Sequence, residues 1–281
     1  MKDAKKTHSL IIGGTKGTGR AVVRALAKEG HVVSVIGRSA PSPSEAGLPN
    51  VSFWALDLAQ HDKIAGILDD IIKKSGKINN LVFLQRYRGE GDGWKGEIDV
   101  SLTATKIIID YLADKVANKF AENKFAEKDN NSKGTNSIVI ISSIASRFIV
   151  EEQPLSYHLG KAALSQMVNY YAVRLGYQGI RVNGVSPGTI LKEESKDFYL
   201  NNKKLYSLYQ EIIPLGRMIT SEDVADVVGF LCSSKAAAVT GQIITLDGGV
   251  SLRGQESLAR KLTDYDNPKN PKTTITAKAK K

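Results

Sequence analysis

Short, unbroken apolar runs recur along the chain, and stretches with apolar residues at three- and four-residue intervals separate most of them. The runs are Ser9 to Ile12, His31 to Ile36, Val51 to Leu56, Asn80 to Leu84, Ser137 to Ile141, Ile180 to Val185 and Gln242 to Leu246. Their length, their valine and isoleucine content and their lack of strict alternation predict strands buried on both faces. The stretches between them predict helices, the first from about Arg20 to Glu29. Such alternation builds a parallel sheet covered by helices on both sides. The expected fold is therefore a single α/β domain, doubly wound, with about seven strands.

Two stretches break this rhythm. Asn118 to Asn136 is rich in lysine, asparagine and glutamate, and reads as a helix end followed by an exposed loop. Thr189 to Ile213 follows the sixth strand and carries Phe198, Tyr199, Tyr206 and Tyr209. Ligands of open α/β sheets bind beyond the carboxyl ends of the strands. The second stretch is thus placed to cover a substrate, or simply to pack its aromatics onto the body. The organisation read from the chain is an N-terminal tail over 1–8, the α/β domain over 9–262 with the insertion at 189–213, and a basic tail over 263–281.

Charge changes this picture less than its size suggests. The net charge is +10, but Asn267 to Lys281 alone holds five lysines and no acid. That segment reads as a disordered tail, and no aromatic residues are interleaved in it as a single-strand-binding surface requires. A nucleic-acid role is not expected. Hydrophobic residues make up 42% of the chain, enough for a full core, yet no apolar run reaches the ~18 residues of a membrane span. The polar start, without a signal-peptide apolar region, points to a cytoplasmic protein. Cys232 is the single cysteine, which excludes an intramolecular disulfide framework or a multi-cysteine metal site.

Chemistry enters at three places. Gly13-Gly14-Thr15-Lys16-Gly17-Thr18-Gly19 follows the first strand and opens a helix, the context in which a glycine turn cradles a pyrophosphate on a helix N-terminus. The second strand ends Ile36-Gly37-Arg38-Ser39. An acid at such a strand end grips the 2′-hydroxyl of NAD, whereas an arginine accommodates the 2′-phosphate of NADP. Arg38, with Lys16 as a second cation, predicts NADP(H) in preference to NAD(H). Finally, Tyr157 and Lys161 stand one helical turn apart, so the ammonium sits beside the phenol and favours its anion. That makes Tyr157 a candidate general acid–base.

Together these residues resemble the short-chain dehydrogenase/reductase family over roughly residues 7–252. The glycine turn resembles T-G-x-x-x-G-x-G with Ile12 in the place of threonine, and Tyr157 with Lys161 matches Y-x-x-x-K. Ile180-Arg181-Val182-Asn183-Gly184-Val185-Ser186-Pro187-Gly188 is close to I-R-V-N-x-V-x-P-G. Pro214-Leu215-Gly216-Arg217, Thr240-Gly241-Gln242 and Asp247-Gly248-Gly249 follow in the family's order.

The resemblance implies a Rossmann-type fold and a carbonyl/alcohol oxidoreductase with a small-molecule substrate, assembled as a homotetramer or homodimer. Ser143, Tyr157 and Lys161 would be catalytic. Gly13, Thr15, Lys16, Gly17, Thr18, Gly19, Arg38, Ser39, Asp57, Leu58, Pro187, Gly188 and Ile190 would bind the cofactor with Tyr157 and Lys161. The chain departs from the family in two ways. Phe83-Leu84-Gln85-Arg86 replaces N-N-A-G after the fourth strand, and Ser101 stands where the tetrad asparagine is expected, with Lys192 at a threonine position. Ser101 is placed to hold a relay water in that asparagine's stead. Arg86 and Arg88 are candidates to meet an anionic substrate group, the competing reading being ion pairs with Glu90 or Asp92. A non-catalytic homologue that binds the dinucleotide as a sensor or assembly partner is the second functional reading.

Overall fold

The computed structural model describes residues 6–39, 41, 47–122 and 136–263, with side chains omitted for 116–122. The expected tail beyond residue 263 and most of the expected loop at 118–136 lie outside them. Seven strands form one parallel sheet: β1 (His8–Ile12), β2 (Val32–Gly37), β3 (Val51–Ala55), β4 (Asn80–Phe83), β5 (Ser137–Ile141), β6 (Arg181–Pro187) and, after a separate two-stranded ribbon, β9 (Ile243–Leu246). Their spatial order is β3-β2-β1-β4-β5-β6-β9. The ribbon pairs β7 (Ile190–Leu191) with β8 (Ile219–Thr220). All seven predicted runs are therefore strands of the sheet. β1 also takes in His8, whose ring sits within hydrogen-bond distance of Ser34 Oγ (2.9 Å) and the Gly76 carbonyl (3.0 Å).

Alternation along β1 divides the core in two. Leu10 and Ile12 join one apolar cluster and Ile11 the other, as the two-residue period of a strand dictates. The first cluster is covered by α2 (His61–Ser75), α4 (Ala104–Glu122) and α5 (Leu155–Gly176) through Ile64, Leu68, Ile108, Leu164 and Val168. The second is covered by α1 (Gly17–Lys28) and α8 (Ser221–Cys232) through Val22, Leu26, Val224 and Val228. Helix α1 starts at Gly17, three residues ahead of the sequence-based boundary, so the last two glycines of the turn are already helical. The short α3 (Gly93–Glu97), capped by the Asp92 carboxylate on the Trp94 and Lys95 N–H groups, runs into α4 through a π-helical stretch, Ile98–Thr103.

Strand order reverses between β1 and β4, and a crevice opens at such a switch point beyond the strand ends. At its floor the Leu84 N–H donates to the Ile12 carbonyl (2.8 Å) and the Gly13 N–H to the Ile36 carbonyl (2.8 Å). The turn carrying Gly13 thus passes directly over β4. The segment after β6 folds into β7, a 3-10 turn at Glu193–Ser195, α6 (Lys196–Asn201) and α7 (Lys203–Ile212), beside the mouth of that crevice.

Candidate active site

A cleft of about 800 Å³ occupies the crevice. Every site residue expected from the sequence lines it, with the exception of Ser101. The glycines at its floor are there because nothing larger fits. A Cβ on Gly13 would lie 2.7 Å from the Gln85 backbone nitrogen, and one on Gly19 would lie 2.1 Å from the Gly13 carbonyl oxygen. Gly13 also has φ +86°, a left-handed conformation that glycine adopts without strain.

The N-terminus of α1 faces the cleft, and its affinity for anions is visible directly. The Gly17 N–H donates to a carboxylate oxygen of Glu194 at 2.8 Å. Arg20 binds the same oxygen at 2.9 Å and Glu193 at 2.7 Å. Burial alone would raise the Glu194 carboxyl, yet the Gly17 N–H, Arg20 and Lys192 hold it below the ordinary range. A carboxylate oxygen is a fair stand-in for a phosphate oxygen. The turn therefore fits the pyrophosphate of a dinucleotide, which would need the N–H that Glu194 holds in this structure. Further along the cleft, Arg38 and Ser39 are exposed at the end of β2, with Arg38 Nη2 donating to the Arg88 carbonyl at 3.2 Å. Asp57 and Leu58 complete that end.

At the opposite end, β5 delivers Ser142 and Ser143. The Ser142 hydroxyl donates to the Lys161 carbonyl at 2.9 Å and lies 2.8 Å from Ser165 Oγ. These contacts fix α5 against the strand end, and with it the spacing of Ser143, Tyr157 and Lys161. The Ser143 oxygen accepts the Ala145 N–H at 3.2 Å, which leaves its own hydrogen free to donate into the cleft. Lys161 is buried, its Nζ bonded to the Ile141 carbonyl at 2.9 Å and 5.7 Å from the centroid of the Tyr157 ring. Burial brings its ammonium down to about 8, Arg86 and Lys192 push it the same way, and Glu97 opposes them.

Arg86 is the addition that the motifs did not define. Its guanidinium lies 4.4 Å from the Tyr157 ring centroid, a cation–π contact. Nη2 donates to Gln153 Oε1 at 2.6 Å, while its buried Nε has no hydrogen-bond partner among the described residues. The His158 ring locks the loop that carries Gln153, accepting the Val150 N–H at 2.9 Å and approaching the Pro154 carbonyl at 3.0 Å. Neither Arg86 nor Arg88 forms an ion pair with Glu90 or Asp92 among the described residues, since Asp92 serves as the helix cap. Ser101 is fully buried behind the cleft wall, its hydroxyl donating to Glu97 Oε1 at 2.6 Å. It therefore does not stand with Ser143 and Tyr157 at the cleft surface.

Comparison with known proteins agrees with this geometry. A family model described as enoyl-(acyl carrier protein) reductase matches residues 13–251. The chain belongs to the short-chain dehydrogenase/reductase family. Within that family it is 28% identical over 265 residues to an L-rhamnose 1-dehydrogenase (NADP(+)) of Thermoplasma acidophilum, covering 91% of this chain and all of that protein. It is 29% identical over 268 residues to a 3-oxoacyl-[acyl-carrier-protein] reductase of Thermotoga maritima, covering 86% and 96%. A solved short-chain type dehydrogenase/reductase from Mycobacterium ulcerans superposes with a TM-score of 0.73 at 25% identity, covering 89% and 91%. The protein is thus an oxidoreductase of the nicotinamide-dependent kind. Among the described residues no helix is long and apolar enough to cross a membrane, and no cluster of potential metal ligands occurs.

Proposed function

We propose that the chain interconverts a carbonyl and a secondary alcohol with NADP(H) as the hydride carrier, and that the substrate bears an anionic group. The observation carrying this reading is the meeting of Ser143, Tyr157 and Lys161 with the glycine turn in one cleft. When bound with its nicotinamide beside Pro187 and Ile190, the cofactor supplies or accepts the hydride. The Ser143 hydroxyl donates to the substrate oxygen, where charge develops. Tyr157 passes its phenolic proton to that oxygen in reduction and takes it back in oxidation, with the Lys161 ammonium and the Arg86 guanidinium beside the ring. Arg38 and Lys16 favour the extra phosphate of NADP(H). An intact set of Ser143, Tyr157 and Lys161 supports an enzyme over a dinucleotide sensor.

The anionic substrate rests on charge. Arg86, Arg88 and Lys192 line the same cleft, and the Lys192 ammonium is lowered first by burial and then by the fields of Arg88 and Arg86. The nearby carboxylate of Glu194 is engaged by Gly17 and Arg20. Of the two arginines, Arg86 stands over the catalytic ring and Arg88 has its backbone tied to Arg38, so Arg86 is assigned to the substrate. Tyr199 also lines the cleft and packs edge-on against Tyr209 at 5.8 Å, which supports reading the 189–213 segment as a cover of the substrate end. Replacing Arg86 by alanine should lower kcat/KM for a carboxylate- or phosphate-bearing carbonyl by about 10–100-fold, the worth of a hydrogen bond to a charged group. A neutral carbonyl of similar size should lose much less; equal losses on both would refute the assignment.

The homo-oligomer proposed for this chain rests on α5. Leu155, Leu159, Tyr170 and Val173, with Tyr177 just beyond the helix, are all exposed, Val173 at 73% and Tyr177 at 93%. Their spacing puts them on one face, opposite the buried Leu164, Val168 and Tyr171, so the helix is apolar on both sides. Such a helix is covered on both sides in its working state, here by the same face of a second copy. Light scattering should find a dimer or tetramer for the native chain and monomer for Val173→Glu; a native monomer at high concentration would refute this.

A further inference from the structure

The acid that faces the catalytic lysine belongs to no motif. Glu97 ends α3 and is only 4% exposed, yet it carries a carboxyl group. Two neighbours are shaped to it. Ser101, one turn on within the π-helical stretch, donates its hydroxyl to Oε1 at 2.6 Å. Gly160, the residue before Lys161, leaves the space that the acid fills: a Cβ there would lie 3.0 Å from Glu97 Cγ and 3.1 Å from Oε1. One hydroxyl does not offset the desolvation of a buried carboxylate. The buried cation beside it is Lys161, the next residue of α5 after Gly160, whose Nζ is bonded to the Ile141 carbonyl and which feels the Glu97 charge without direct ion-pair contact.

We propose that Glu97 is the buried counter-charge that keeps Lys161 an ammonium ion behind Tyr157, with Ser101 and Gly160 fitted to hold the carboxylate in place. It is a positioning residue, acting through Lys161, and the inference rests on the reading of Lys161 given above. The charged groups facing Lys161 come from several elements: Glu97 from α3, Arg86 from the segment after β4, and Lys192 from the segment after β7. Two of these three are cations that disfavour a third positive charge, and burial disfavours it as well. Among the described residues, Glu97 is the single acid acting on Lys161. Without it, Lys161 would give up its proton at a lower pH, and the phenolate would lose its neighbouring cation near neutrality. This also accounts for the departure at Ser101: the position serves the carboxylate from behind the wall instead of reaching into the cleft.

The test has two arms, one independent of turnover. An NMR titration of isotope-labelled lysine in the full chain should find Lys161 changing charge near 8 in the native protein and at a measurably lower pH in Glu97→Gln, the direction expected for losing an opposite charge that acts on it. Glu97→Asp, which keeps the charge, should stay close to native and serves if the glutamine variant does not fold. In the second arm, the alkaline limb of the kcat–pH profile should move to lower pH in Glu97→Gln while NADPH affinity stays unchanged. An unmoved Lys161 titration in Glu97→Gln overturns the proposal. So does a loss of kcat that is uniform in pH, which is what a merely structural role would give. If the native chain turned over no carbonyl at all, the functional reading would fail while the lysine titration still decided the fate of Glu97.

Discussion

Replacing Tyr157 by phenylalanine is expected to cut kcat by about 10²–10⁴-fold, the usual worth of a positioned proton donor. The ring stays, and with it the packing against Arg86 at 4.4 Å and the edge contact with His158. The change therefore removes one hydroxyl and little else. NADPH affinity, measured by fluorescence titration, should hold within a factor of about two, because the loss falls on the chemical step and not on uniform binding. A comparable loss of cofactor binding would instead make Tyr157 a structural residue. Lys161 is a less clean probe: its Nζ is bonded to the Ile141 carbonyl, so removing it also leaves that carbonyl without its donor.

The second large effect is on cofactor choice. Arg38→Ala should raise KM for NADPH by about 10–100-fold, since a charge-assisted bond to phosphate contributes roughly 1.5–3 kcal/mol. KM for NADH should barely change. Arg38 is exposed, so salt screening places the effect toward the lower end and makes it shrink as ionic strength rises. Kinetics with both cofactors at two salt concentrations check this. Equal losses with NADPH and NADH would mean that Arg38 supports the site through its bond to the Arg88 carbonyl and not through the 2′-phosphate.

Local chemistry made much of this legible in the chain. Buried parallel strands read as apolar runs because both faces are covered, and all seven runs sit in the sheet. The glycine turn and the Tyr157–Lys161 pair were legible for the same reason, since each acts over a few residues with a fixed backbone geometry. What escaped the sequence depends on contacts between distant segments. Arg20 meets Glu193 and Glu194 across more than 170 positions, and no periodicity announces such a clasp. Arg86 was marked as a cation near the site, but its seat over the Tyr157 ring depends on Gln153 and on the His158 contact that shapes that loop. Glu97 and Ser101 stand four apart, the spacing of neighbours on a helix; that hint was present. Nothing local, however, reveals that the glycine at 160 would come to face them and turn an exposed-looking acid into a buried one. The helix start at Gly17 was missed for a related reason. Glycine is a poor helix former, and here close packing against the Gly13 turn outweighs that propensity.

Incubating the purified full chain with NADPH and a panel of carboxylated and neutral ketones and aldehydes tests the central claim most directly, with NADPH consumed and alcohol formed both measured. The account predicts one alcohol formed per NADPH oxidised, abolished in Tyr157→Phe. Tight NADPH binding with no turnover on any carbonyl, or turnover undiminished in Tyr157→Phe, would contradict it.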